Sequence, residues 1–151
     1  MDAMISQLVI TIVVVTLFLW RISYGTKNGL FAEAAGLIAV ITAFAAIYFL
    51  MNITKNIMGN NYVEVIKKIG YLVIALIIYG VMRAIARAVS GVKKIPILGG
   101  LDRFLGAILG GIEAWLIIYV VEYITGMEIF GPVMEVWAFL SAQILGKIKT
   151  R

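Results

Sequence analysis

Apolar side chains run along this chain in four long blocks, residues 4–20, 30–51, 69–89 and 103–125, separated by short polar stretches. Each block is close to the roughly 17–25 residues that cross a bilayer as a helix. Backbone polar groups in hydrocarbon must be bonded within their own segment, so the blocks predict four helices and no strand. The first block does not look like a cleaved leader. Asp2 is the only charged side chain before it, and Arg21, Ile22, Ser23 and Tyr24 after it offer no small-x-small cleavage site. Asn28 or Gly29 can start the second helix, and Asn52 and Thr54 mark its polar exit. Tyr24, Tyr48, Tyr71, Tyr119 and Tyr123 lie near block ends, where interfacial aromatics collect.

A fifth segment, 132–148, has a different pattern. Gly131-Pro132 opens it, with proline at the first helical position. Val133, Val136, Trp137, Leu140, Ile144 and Ile148 recur at helical spacing, while Glu135, Gln143, Lys147 and Lys149 take other positions around the helix. It is short for a span and fits a helix lying in the interface; insertion as a fifth span is the alternative. The expected fold is therefore all-α, an integral membrane four-helix bundle with a C-terminal amphipathic interfacial helix, in one domain. No internal repeat suggests an inverted-repeat transporter.

Composition agrees with the pattern. The 151 residues are 63% hydrophobic and 14% charged, against about 25% charged in soluble domains. The chain has neither Cys nor His. Disulfides, thiolate zinc sites and Cys or His catalysis are thereby excluded, and no cofactor is expected. The net charge of +5 does not point to nucleic acid, because the basic residues sit between apolar blocks, where topology accounts for them. Arg21, Lys27, Arg83, Arg87, Lys93, Lys94 and Arg103 flank the first and third loops, whereas the second loop carries Lys55, Lys67 and Lys68; Lys147, Lys149 and Arg151 of the tail lie more than about 20 residues beyond the fourth block, where the charge rule weakens. This favours first and third loops in the cytoplasm and both termini outside.

Two stretches carry the candidate chemistry. In the first, Gly25 and Gly29 precede a face built from Gly29, Ala32, Glu33 and Gly36, small enough for another helix to approach closely. Glu33 lies about one turn inside the membrane. It is either a first-turn carboxylate favoured by the helix dipole and reaching headgroup water, or a partner within the bundle. Arg83 lies at similar depth on the same side, so it pairs with Glu33 or snorkels alone. In the second stretch, Pro96 and Gly99-Gly100 break regular structure, and Asp102 can cap the helix that follows. Gly106 and Gly110 then form a G-x-x-x-G close-packing face. Glu113 is near the middle of the fourth block, where a carboxylate costs a few kcal/mol. It reads either as a protonated group donating a hydrogen bond between helices or as an ion or proton position. The first is preferred, because no string of ionisable groups crosses the membrane in the sequence.

These stretches resemble the colicin V production (CvpA) family of bacteria. Members have G-x-x-x-G-[LF]-x-x-E entering the second span, matched by Gly25, Gly29, Leu30 and Glu33. They also have L-[DN]-R-[LF]-L-G-x-[LI]-x-G entering the fourth, matched from Leu101, Asp102 and Arg103 through Gly106 to Gly110. The likeness runs from the first span to about Thr125. The tail through Val136-Trp137-Ala138-Phe139-Leu140 is similar to tails of members from anaerobic Gram-positive bacteria. Glu113-Ala114 departs from a glycine-containing pair that many members have there. The resemblance implies a bacterial inner-membrane protein linked to bacteriocin production or export and to envelope homeostasis, with no defined catalytic activity. Expected partners are membrane lipids and a second copy or another membrane protein. A small oligomeric channel or transporter subunit is the second reading. A membrane enzyme is the third; Glu33, Asp102, Arg83 and Arg103 are the group it would use.

Overall fold

The computed structural model describes residues 2–57, 64–90 and 99–150. They form five helices: α1 (Asp2–Asn28), α2 (Leu30–Ile57), α3 (Glu64–Ser90), α4 (Gly99–Thr125) and α5 (Phe130–Lys149). Among the described residues there is no strand. The first four helices are each long and apolar enough to cross a membrane. Each runs past the apolar block that announced it. At 1.5 Å per residue, the 27 residues of α1 extend about 40 Å, beyond the roughly 30 Å hydrocarbon layer. In the extra turns at the end of α1, polar side chains bond back to the helix: Thr26 Oγ1 donates to the Ser23 carbonyl at 2.7 Å, and Asn28 Nδ2 to the Tyr24 carbonyl at 2.9 Å.

A single residue joins α1 to α2. Gly29 has φ +83°, a left-handed conformation that side chains disfavour. It is the joint between the helices, and it meets α4 closely as well, since a Cβ there would strike the Asp102 carboxylate. The first turn of α2 is capped from elsewhere in the chain. Asp102 Oδ1 accepts the Leu30 N–H at 2.8 Å, so Asp102 caps α2 and not its own helix. It cannot be the N-cap of α4, because α4 starts at Gly99 and Asp102 is already inside its first turn. Gly99 and Gly100 thus belong to the helix they were expected to delimit. Pro96, Lys93 and Lys94 lie outside the described residues.

Helix α1 packs antiparallel along α4, and α2 packs on both α3 and α4. The interior is made by Val40 and Ile47 of α2, Tyr71 and Ala75 of α3, and Val120 and Ile124 of α4. Tyr71 is buried in the bundle rather than turned outward, and its hydroxyl hydrogen-bonds Thr54 Oγ1 at the polar exit of α2, tying α3 to α2. Tyr119 and Tyr123 gather around Phe44, with Tyr123 edge-on at 5.3 Å between centroids. Large apolar side chains on the outside, such as Ile12, Phe49 and Ile77, are exposed on the bundle surface. That distribution suits a lipid surround and would be an aggregation liability in water.

The chain turns at Gly126 (φ +69°) into α5. Glu122 of α4 accepts the N–H groups of Ile129 and Phe130 at 2.6 and 2.7 Å, satisfying donors at the start of α5. The helix begins at Phe130, two residues before the expected Pro132 start. Pro132 still lies in the first turn, where its missing N–H removes no helical bond. α5 packs beside α1 and buries none of its residues. Gln7 Nε2 donates to Glu135 Oε2 at 2.9 Å across that contact.

Candidate functional site

Glycines set the geometry of the site. Gly25 of α1 and Gly106 of α4 face each other so closely that a Cβ on either would strike the other's carbonyl oxygen. A Cβ on Gly110 would strike the carbonyl of Arg21. The G-x-x-x-G face of α4 is thus filled by the backbone of α1 in the same chain, which brings the two helices to close contact. This register carries the side chain of Arg21 into the bundle, one turn before Gly25 on the same face of α1.

Arg21 is 2% exposed, and Glu33 and Glu113 are fully buried. The Nη2 of Arg21 donates to Glu33 Oε2 at 2.7 Å and also to Glu113 Oε2. The second guanidinium comes from α3. Arg83 Nη1 donates to Glu113 Oε1 at 3.1 Å, and its Nη2 lies 3.8 Å from Glu33 Oε1. Tyr79, one turn from Arg83, donates to Glu113 Oε1 at 2.6 Å and accepts from Arg83 Nη1. Two guanidiniums and two carboxylates from four helices thus form one charge-balanced cluster. Tyr24 packs a ring between the cations, 5.2 Å from the guanidinium carbon of Arg21 and 5.1 Å from that of Arg83, a cation–π arrangement that suits a desolvated charge. Gly36 leaves room for it all, since a Cβ there would strike the Glu113 carboxylate.

Several expectations change. Glu33 does not reach headgroup water; it is paired inside the bundle. Arg83 does not snorkel alone; it is 13% exposed and pairs with both carboxylates. Glu113 is not a solitary hydrogen-bond donor between helices; two guanidiniums and a tyrosine converge on it. The ionisable groups that seemed scattered along the sequence form a cluster. The group of Glu33, Asp102, Arg83 and Arg103 does not assemble: Asp102 is spent on the Leu30 amide, and Arg103 is exposed and takes no part in these ion pairs. Arg21 and Tyr79 were missed. Arg21 follows Trp20 at a block end and looks like a topological cation. The available signal was its i, i+4 relation to Gly25, which puts it beside Gly110 once Gly25 meets Gly106.

Chemically, the cluster couples helices. Its charges cancel, and each carboxylate is held by more than one donor or cation. Taking the four ions out of water costs much of what their attraction returns, so the cluster is weak evidence for net stability. Among the described residues no group of three or more acidic, His or Cys side chains could hold a metal ion.

No curated protein and no solved structure matches the chain significantly. The family model described as colicin V production protein matches residues 10–141, a stretch that takes in every member of the cluster, both glycine stretches and most of α5. Together with four helices able to span, that match shows a multi-pass membrane protein that belongs to the colicin V production protein family.

Proposed function

We propose that the protein is a non-enzymatic component of the bacterial inner membrane that supports bacteriocin production or export, or envelope homeostasis, and works as an oligomer. The carrying observation is the pairing of Arg21 with Glu33 and Glu113 inside a family match that spans the bundle. An assembly component needs a fixed scaffold rather than an open reaction centre, and ion pairs joining α1, α2, α3 and α4 supply one. The large apolar side chains on the outer face leave ample surface for another helix or another copy. Affinity purification from native membranes in mild detergent tests this. A stable partner, or a defined multimer of this chain, supports the reading. A monomer that retains no other protein overturns it.

A second reading is favoured by the cluster itself: ionisable groups within a membrane usually mark an ion or proton path. Here the protein is a subunit of a small oligomeric channel or transporter, and several copies enclose the path. Reconstituted proteoliposomes separate the two. A conducting protein shows flux that falls when Glu113 is changed to Gln, whereas a scaffold shows none in either form.

A further inference from the structure

Beside the ion cluster, where α1 stops and α2 starts, Tyr24, Asn28, Ala32, Ala35, Arg83 and Arg87 enclose a pocket of about 310 Å³. Its two guanidinium side chains stand one turn apart on α3, and the small side chains of Ala32 and Ala35 keep the α2 wall open. Arg87 Nη2 donates to the Tyr24 hydroxyl at 3.1 Å, which holds this exposed side chain at the rim of the pocket. The carboxylates of this half of the bundle are all engaged: Glu33 and Glu113 by guanidiniums, Asp102 by the Leu30 amide. Lys27, at the end of α1, and Arg103, in the first turns of α4, add positive charge at the same membrane end. Arg83 is balanced within the cluster, so the net positive charge at the pocket comes from Arg87, with Lys27 and Arg103 nearby.

The same stripe of α3 continues inward as Tyr79, Leu76, Ala75 and Leu72, which line a second hollow of about 120 Å³ with apolar walls. From Arg87 to Leu72 the stripe covers about 22 Å along the helix. The seam along α3, walled by α1 and α2 at the surface and by α2 and α4 below, is thus cationic at the membrane surface and apolar beneath it.

We infer that this seam binds a phospholipid with an anionic headgroup. The phosphate sits in the pocket against Arg83 and Arg87, and an acyl chain follows α3 past Tyr79 toward Leu72. Guanidiniums are suited to phosphate oxygens through charge-assisted hydrogen bonds, and the apolar hollow below accepts the chain. The site goes beyond the proposed function and holds for a scaffold or a channel alike.

The test is native mass spectrometry on the purified full-length protein, delipidated in neutral detergent and titrated with phosphatidylglycerol, phosphatidylcholine or inorganic phosphate. Phosphatidylglycerol should bind in preference to phosphatidylcholine, and inorganic phosphate should not displace it. Arg87→Gln should weaken phosphatidylglycerol binding roughly fivefold, the scale of one surface cation toward anionic lipid. Ala35→Leu, which fills the pocket without changing charge, should abolish preference for the anionic lipid. Lys27→Gln and Arg103→Gln, outside the pocket lining, should weaken binding by clearly less than Arg87→Gln does. Equal binding of both lipids would overturn the site. So would an equal loss in Lys27→Gln or Arg103→Gln, which would show diffuse surface attraction. Complete displacement by inorganic phosphate would show an ion site with no place for a lipid. Arg87 is at the surface, so its variant decides the matter even where Ala35→Leu does not fold.

Discussion

Arg21 of α1 and Glu113 of α4 are ion-paired inside the bundle, although 92 positions separate them in the chain. Removing one partner leaves a buried charge without its counter-ion. We expect Arg21→Met to cost about 3–5 kcal/mol, the range for breaking a buried pair from one side, because it leaves two buried carboxylates sharing Arg83 alone. Arg21→Met combined with Glu113→Gln should recover part of that loss. The readout is unfolding in mixed detergent micelles, arranged as a double-mutant cycle. Additive losses would show that the pair is not coupled.

The two contacts of Glu33 are unequal, 2.7 Å to Arg21 and 3.8 Å to Arg83, and only the first is a hydrogen bond. A cycle of Glu33→Gln with Arg21→Met should therefore give a larger coupling than one with Arg83→Met. Both should be non-zero, since all three charges share one low-dielectric site. A larger coupling to Arg83 would place the main partner of Glu33 on α3.

Glycine substitutions should separate by position. Gly106→Ala and Gly25→Ala put a methyl group into the backbone of the facing helix, an overpacking that costs about 1–3 kcal/mol. Gly111→Ala meets only the Ile22 side chain at 3.7 Å, an ordinary contact, and should change stability little. Gly80→Ala meets nothing within 4 Å and should be neutral or stabilising by about 0.5–1 kcal/mol through helix propensity. Thermal stability in detergent checks all four. Equal effects would mean that α1 and α4 are not in close contact.

Asp102 gives a sharper test of how α4 holds α2. Loss of a side-chain cap costs about 1 kcal/mol, and Asp102→Ala should pay it at the start of α2, not of α4. Hydrogen exchange reads this directly: the amides around Leu30 should exchange faster, and those at the start of α4 should not. Faster exchange confined to α4 would return Asp102 to its own helix.

Topology follows from charge and is open to labelling because the chain has no native cysteine. Arg21 and Arg83 are held by carboxylates, so the visible asymmetry rests on Lys27, Arg87 and Arg103 with Lys93 and Lys94, against Lys55, Lys67 and Lys68. We expect Lys27→Cys to be labelled from the cytoplasmic side and Asp2→Cys from the outside. Lys149→Cys should be labelled with Asp2→Cys when α5 lies in the interface, and with Lys27→Cys when it crosses. Labelling of Lys27→Cys from outside would invert the topology.

The sequence by itself determined the spans. Hydropathy is a local property that adds along a segment, and a bilayer rewards an apolar block in almost any bundle, so the four helices α1–α4 were legible from their apolar side chains. Gly106 and Gly110 were legible as a close-packing candidate, a weak signal by itself because glycine is common in spanning helices. What they pack against was not. Only the tertiary structure matched Gly106 to Gly25 and Gly110 to the Arg21 backbone, and that register decides which buried charges meet. Arg21 next to Trp20 looks like any cation at the end of a span, and Tyr79 like any aromatic within one. Asp102 looks like the cap of its own helix until Leu30 is brought to it. Ion pairing depends on distances of a few ångströms between segments far apart in the chain. Such distances are set by the rotation and offset of whole helices against one another, which no local pattern of side chains records.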